Sequence, residues 1–209
     1  MRKSRSYHHG NLKQALLKAS LDLIRQAGPE AFTLREVARR AGVSHNAPYR
    51  HFRDKEELLA AVAAQGFDRL TQSMERAVAG ASGAAERFRR SGRGYVEFAL
   101  RYPQHFSVMF DAPLHFDRHP DMHAAGERAF GTLLRHVEDC QREGVLPPGD
   151  PRLAALVAWS LVHGVAKLAI AGRLPWSGMA AVLNFTDMAA QALAQGMYTA
   201  GRQAGPAPS

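Results

Sequence analysis

Residues 33–55 read TLREVARRAGVSHNAPYRHFRDK, and this stretch restricts the fold more than any other. It opens on a capping box, since Thr33 followed three residues later by Glu36 supplies both halves of a reciprocal helix cap. Leu34, Val37, Ala38 and Ala41 then form one short apolar face. Gly42 stops this helix, because glycine enters the left-handed conformation of a tight stop at little cost. Val43 is an apolar plug, and Ser44 is placed to cap a second short helix. Pro48 fits only the first turn of that helix, where its missing N–H is not needed, so the helix is expected to start close to Ser44. Asp54 and Glu57 repeat the capping box at the head of a longer helix. Two short helices joined by a glycine turn make the helix-turn-helix pattern, whose second helix enters the major groove of DNA.

The second helix is polar nearly all round. His45, Asn46, Tyr49, Arg50 and His51 all carry hydrogen-bonding side chains, relieved only by Ala47, Pro48 and the tyrosine ring. A helix of this kind leans on its neighbours and leaves donors pointing outward. The charge distribution agrees. The 209-residue chain carries a formal +8, and residues 1–55 hold 12 Lys and Arg against 4 Asp and Glu. The remaining residues hold 15 of each, so the whole excess lies on the proposed reading module. A basic module attracts polyphosphate and releases counterions on binding. A membrane-surface role would need this charge opposite a large apolar face, and none is evident there.

At these residues the chain resembles the N-terminal domain of TetR-family transcriptional regulators. The resemblance rests on the T-L-R-E-V-A-R-R-A-G-V-S core, the Tyr49-Arg50-His51-Phe52 block and Lys55 after Asp54. It covers about the first fifty-five residues, and beyond them it is one of size and helical pattern. The family pattern has an aliphatic residue where Pro48 stands. The resemblance implies a dimer that pairs through its two C-terminal helices, a double-stranded DNA operator and a small-molecule effector of unknown identity. Trp159, His163 and Gly164 are similar to the Trp…His-Gly signature of one subgroup of the family, sometimes called WHG-type.

Taken in order, Arg2, Lys3 and Arg5 make a basic start suited to an arm on phosphates or in a minor groove. Asn11 and Gln14 resemble a cap for a first helix, whose stripe is Leu12, Leu16, Ala19, Leu23 and Ala27. Gly28-Pro29 ends it, and Phe32 and Phe52 flank the helix-turn-helix as expected core residues. A long amphipathic helix over 55–79 buries Leu59, Val62, Gly66, Leu70, Met74 and Ala77, and the GASG break follows at 80–83. From residue 84 on the periodicity is helical throughout, with no strand alternation. The helix over 150–171 is apolar enough to raise the question of a membrane span. Its polar residues Ser160, His163 and Lys167 fall on one stripe, which fits a helix with a core face and a partner face instead. The expected architecture is all-α: a three-helix DNA-binding domain over 1–55, joined by a long helix to an effector-binding and dimerisation bundle over 56–200, then a disordered tail over 201–209.

Base-edge readout requires side chains that reach into the groove. The candidates are Arg35 for guanine, Asn46 for adenine and Ala47 for a thymine methyl, together with His45 and Tyr49. Thr33, Ser44, Arg50, His51 and Lys55, with Tyr49 in both roles, suit phosphates, which set register rather than sequence. Phe106, Met109, Phe110, Phe130, Trp159 and His163 are the candidate lining of an effector site. His105, His115, His119 and His123 crowd one stretch with Asp111, Asp117 and Asp121, but Pro120 separates the one helically spaced pair, so no metal site is assigned. The single cysteine, Cys140, excludes an internal disulfide framework and fits a reducing cytoplasm beside the nucleoid. There is no Gly-rich phosphate loop, G-x-S-x-G or H-E-x-x-H, so no enzyme activity or cofactor is expected. The function expected is therefore a ligand-responsive repressor reading an inverted repeat as a dimer. The alternative is a small-molecule or metal sensor whose DNA binding is secondary and non-specific.

Overall fold

The computed structural model describes residues 9–203, and the side chains of residues 12–196. The basic start at Arg2, Lys3 and Arg5 lies outside the described residues. Among those described, eight α-helices form and no strand. They are α1 (His9–Ala27), α2 (Leu34–Arg40), α3 (Lys55–Val78), α4 (Ala84–Arg101), α5 (Pro103–Asp111), α6 (Pro120–Arg142), α7 (Pro151–Ile170) and α8 (Met179–Gln203). The all-α expectation holds. α1 starts two residues before Asn11, which is therefore inside the helix rather than its cap. α8 continues through Gln203, three residues into the stretch expected to be a disordered tail, and 204–209 lie outside the described residues.

The chain divides into two compact units. The first comprises the residues up to Gly66 together with Gln104–Ala125, and the second Phe67–Pro103 together with Gly126 onward.

In the first unit α1 packs on α2, and α2 on the segment that follows it. Leu16, Leu34, Val37, Phe32 and Phe52 are buried there. The Thr33 cap forms as expected: the Glu36 N–H donates to Thr33 Oγ1 at 3.3 Å, and the Thr33 N–H donates to Glu36 Oε2 at 2.8 Å. The Thr33 amide first, then the Thr33 hydroxyl, donate to the Glu36 carboxyl and hold it below the usual carboxylate range. At the other end of α2 the Val43 N–H donates to the Ala38 carbonyl at 3.0 Å and the Gly42 N–H to that of Arg39 at 3.2 Å. This is the Schellman pattern, and it requires the positive φ of +68° that Gly42 adopts.

In the second unit α4 packs against α7 and α8, and α7 against α8. Phe88, Val137, Cys140, Leu146, Ala155 and Ala158 form its core. Cys140 is fully buried, and burial pushes its thiol up to about 11, which leaves it a packing residue rather than a nucleophile. On α8, Asp187 receives Arg89 and Arg93 of α4 at 3.0 and 2.8 Å. α7 has the length and mean hydropathy, 1.8, of a membrane span. Its residues divide into two faces: Ala154, Ala155, Ala158, Val162, Val165 and Ala166 are buried, while Leu153, Leu156, Val157, Leu168 and Ile170 are exposed.

His136 on α6 is 9% exposed, and neither ring nitrogen has a hydrogen-bond partner. Burial first, then Arg135, hold its pKa below the ordinary histidine value, against the opposite pull of Asp139 and Glu75. The unfolded chain takes up the proton near about 6.5, before the folded chain does. Stability present above that pH is therefore lost as pH falls through the folded pKa. His136→Leu is expected to make the fall in unfolding free energy between about pH 7 and 5 shallower, as read by urea titration at each pH. An unchanged slope would place the acid sensitivity on other groups.

Candidate functional site

The segment after α2 is where sequence and structure part. A second α-helix beginning at Ser44 is not formed. A turn closes with the Ala47 N–H on the Ser44 carbonyl at 2.9 Å, and a single 3-10 turn follows at Pro48–Arg50, with Ala47 at its N-cap. The reason lies in Pro48. An α-helix from Ser44 needs the residue-48 amide to donate to the Ser44 carbonyl, and proline has none. That carbonyl accepts the shorter bond from Ala47 instead, and the backbone tightens. The His51 and Phe52 amides both return to the Pro48 carbonyl at 2.9 Å. Phe52, 2% exposed, then anchors the end of the turn in the core.

This turn presents a compact polar surface. Arg35, Ser44, His45, Asn46 and Arg50 are exposed, and Tyr49 shows 53% of its surface. An aromatic this exposed amid cations and amides has little packing role. Ala47 departs from expectation. It is 8% exposed beside buried Pro48, so its methyl faces inward and is not offered to a thymine. The Thr33 hydroxyl donates to Glu36 Oε2 at 3.0 Å while accepting the Glu36 amide, which leaves it no proton for a phosphate while the cap is intact.

His51 is half-buried and its Nε2 is enclosed. Lys55 is tied back as well: its ammonium donates to the Glu30 carbonyl at 2.6 Å and lies 4.6 Å from the centre of the Phe32 ring. Partial burial lowers its pKa. It therefore braces the loop between α1 and α2, keeping two of its three protons for other acceptors. The second box at the head of α3 is offset by one residue. Asp54 Oδ1 accepts the Glu57 amide at 2.8 Å, but Glu57 reaches the Arg53 amide at 2.6 Å rather than that of Asp54.

The six candidate effector residues are divided between the units. Phe106, Met109 and Phe110 lie in the first, with the two phenyl rings 4.9 Å apart. Phe130, Trp159 and His163 lie in the second, where the Trp159 ring meets Phe130 at 6.4 Å and His163 at 5.9 Å, both edge-on. Sequence reasoning missed the residue that joins this second group. Tyr95 on α4 accepts a hydrogen bond from Trp159 Nε1 at 3.1 Å, and its oxygen lies 2.8 Å from His163 Nδ1. Burial and the loss of solvation push the tyrosine hydroxyl up, so it stays protonated. The histidines of the 105–123 stretch turn to separate partners: His105 to Gln65 at 3.1 Å, His119 to Glu56 at 3.0 Å and His123 edge-on to Phe116. Among the described residues no three of His, Cys, Asp and Glu converge on a common point.

Residues 16–62 match the family of bacterial regulatory proteins of the tetR type, and residues 88–195 match the tetracyclin repressor-like C-terminal domain. An HTH-type transcriptional repressor of Mycobacterium tuberculosis is 42% identical over 48 residues, 23% of this chain and 26% of that protein. The likeness thus spans about a quarter of that relative's own length. A protein of unknown function from Rhodococcus sp. RHA1 is 36% identical, with a TM-score of 0.80 over 93% of this chain and 100% of that one. The TetR family transcriptional regulator PfmR of Thermus thermophilus shares the fold at 21% identity and a TM-score of 0.68, over 84% of this chain and 97% of its own. With both halves of the family's architecture matched in order, and the second match alone taking in just over half of its length, this chain belongs to the TetR family of bacterial transcriptional regulators.

Proposed function

We propose that this regulator is a dimeric repressor that reads an inverted-repeat operator and leaves it when a small molecule binds its second unit. The observation that carries the DNA reading is the exposed donor set around the 3-10 turn, on the part of the chain that holds the whole +8. Arg35, His45, Asn46 and Tyr49 are the base readers, and Ser44 and Arg50 contact phosphate. Lys55 and Thr33 act mainly by holding the reading surface in place, while His51 sits behind it.

Dimerisation is supported by α7, which exposes Leu153, Leu156, Val157, Leu168 and Ile170, and by α8, which exposes Met188. Exposed apolar residues on one helix side are the usual mark of a partner surface. Gly164 lies on the same helix, and a side chain there would meet nothing of its own chain within 4 Å, which leaves room for a second copy to approach closely. Phe130, Trp159 and His163, drawn together by Tyr95, are the proposed effector contacts in the second unit: aromatic faces with a few fixed polar atoms. The effector acts by binding better to the state that cannot span both half-sites. Such a regulator works in the cytoplasm, at the nucleoid.

The test is selection from random duplex DNA by the full-length protein, with sequencing of the enriched pool. An enriched inverted repeat is expected, with half-sites about one helical turn apart or somewhat more. Arg35→Ala and Tyr49→Ala are each expected to weaken binding to it about tenfold to a hundredfold, the worth of one good base contact. A pool without enrichment, or affinity that merely follows salt, would leave a sensor with secondary DNA binding as the better reading.

A further inference from the structure

His136 stands on the part of α6 that belongs to the second unit, where two other helices of that unit come alongside. α3 runs in the same direction. Arg128 of α6 bonds Asp68 of α3 at 2.7 Å, and about two turns further along both helices Glu75 comes level with His136. α4 runs the other way. Glu143 accepts the Ala84 amide at 2.8 Å, and Asp139 lies 3.5 Å from Arg87. Ser91, about one turn beyond Arg87, is thereby brought level with His136. Two polar groups enter this seam without a bond. Both ring nitrogens of His136 and the Ser91 hydroxyl oxygen are enclosed with no hydrogen-bond partner. The two residues are 9% and 1% exposed. We propose that His136 is an acid-operated release for α6: the closed seam holds only the neutral imidazole, and protonation favours a state in which α6 lifts away from α3 and α4 while the rest of the chain stays folded.

The argument is one of unmatched donors. A neutral imidazole brings one donor and one acceptor, whereas the imidazolium brings two donors and a charge. Neither donor has an acceptor in the closed seam, and a buried charge without partners is costly. The charged groups around the ring do not make up the difference. They are Glu75 on α3, Arg87 on α4, and Arg135 and Asp139 on α6 itself. The two guanidiniums oppose a further positive charge. Asp139 favours it, but already holds Arg142 at 2.7 Å and Arg87 at 3.5 Å. Burial first, then Arg135, outweigh the pull of Asp139 and Glu75, so the ring prefers to stay neutral.

The seam is also one that can part. Its ion pairs between α4 and α6 join Arg87 to Asp139 and Glu143, whose side chains are all more than a quarter exposed. Pairs that water reaches contribute little, and a local opening costs less than global unfolding. This device depends on neither the DNA reading nor the effector contacts proposed above.

Cys140 reports the opening. It lies about one turn beyond His136 on α6, is fully buried, and is the single cysteine of the chain. The full-length protein is labelled with 4,4′-dithiodipyridine from about pH 7.5 down to about pH 4.5. Each rate is divided by that of the same protein in urea at the same pH, which removes the reagent's own pH dependence. An imidazole exposed by opening takes up its proton near about pH 6.5, so the ratio should rise about fivefold to eightfold between about pH 7 and 5.5. His136→Gln should keep the ratio flat, and His136→Leu, as a second side chain that does not titrate, should do the same. A flat profile in the parent would overturn the proposal. An equal rise in the variants would also overturn it, by placing the titrating group elsewhere. The parent profile decides by its onset as well: a rise beginning only below about pH 5 belongs to carboxylates and sinks the assignment to His136. Labelling that follows the global unfolding constant, read by urea titration at each pH, would show that α6 does not move by itself and would equally end the proposal.

Discussion

Gly94→Ala is expected to destabilise the second unit by about 2–3 kcal/mol, at the upper end of overpacking costs. The sign is not obvious from local preference. Gly94 lies inside α4, and replacing a mid-helix glycine by alanine ordinarily gains about 1 kcal/mol. Here the added Cβ would lie 2.8 Å from the Ser73 carbonyl oxygen, 2.9 Å from Met74 Cα and 3.0 Å from Ala77 Cβ, all on α3. Two of those three obstacles are main chain, which has no rotamer to escape into. The helices must part, and the Ser73 hydroxyl would lose its 2.9 Å bond to the Gly94 carbonyl. Gly131→Ala is the control: it lies in α6, and its nearest obstacle is the end of Arg135 at 3.9 Å. It should show the bare helix preference, a gain of about 0.5–1 kcal/mol. Gly66→Ala falls between, because the atoms in its way belong to the flexible Met109 side chain and to His105 Cβ. Urea unfolding of the three variants measures the order. Gly94→Ala proving as stable as the parent would mean that α3 and α4 do not pack as closely as the Ser73–Gly94 contact requires.

What the sequence revealed, it revealed locally. The Thr33–Glu36 box, the Gly42 stop and the GASG break after α3 are all set by neighbours within a few residues. Patterns of that range survive in a one-dimensional reading. The loss of the second helix was also a local matter, and Pro48 was correctly confined to a first turn. What was misjudged was the length of helix that could follow, because the chain must reverse by Phe52 to bury its ring. The return of residues 104–125 to the first unit was not legible, since no local signal tells a helix which neighbour it will join.

The site shows the same division. The exposure of the proposed readers Arg35, His45, Asn46 and Tyr49 was legible because a short polar segment flanked by caps leaves few other uses for its side chains. The inward turn of Ala47 was not, because it depends on the 3-10 geometry. Trp159 and His163 could be singled out as a helical pair, but their partner Tyr95 lies 64 residues from one and 68 from the other. In the sequence it is one aromatic among the apolar positions of α4.

Tyr95→Phe is expected to cost about 1–3 kcal/mol, although it removes one oxygen atom and leaves the ring and its packing in place. The magnitude follows from what that oxygen serves. Trp159 Nε1 can only donate, and the Tyr95 oxygen accepts its bond at 3.1 Å. The tyrosine proton remains available to His163 Nδ1, 2.8 Å away. Removing the oxygen deprives two groups on α7 of this partner in a site where Tyr95 itself is only 4% exposed. Each hydrogen bond so lost costs about 0.5–1.5 kcal/mol. Trp159→Phe in the Tyr95→Phe background separates the hydrogen bonds from simple loss of packing. If the indole bond matters as stated, the two losses are not additive, and the cycle returns a coupling of about 1 kcal/mol. Additive losses would show that Trp159 contributes only its ring. The same variant bears on effector binding. Without the hydroxyl, His163 Nδ1 loses the contact with α4 that helps to orient its ring. A ligand held by the aromatic faces alone would keep its affinity in Tyr95→Phe, while one recognised through His163 would lose about tenfold or more, the worth of a hydrogen bond to a misplaced partner.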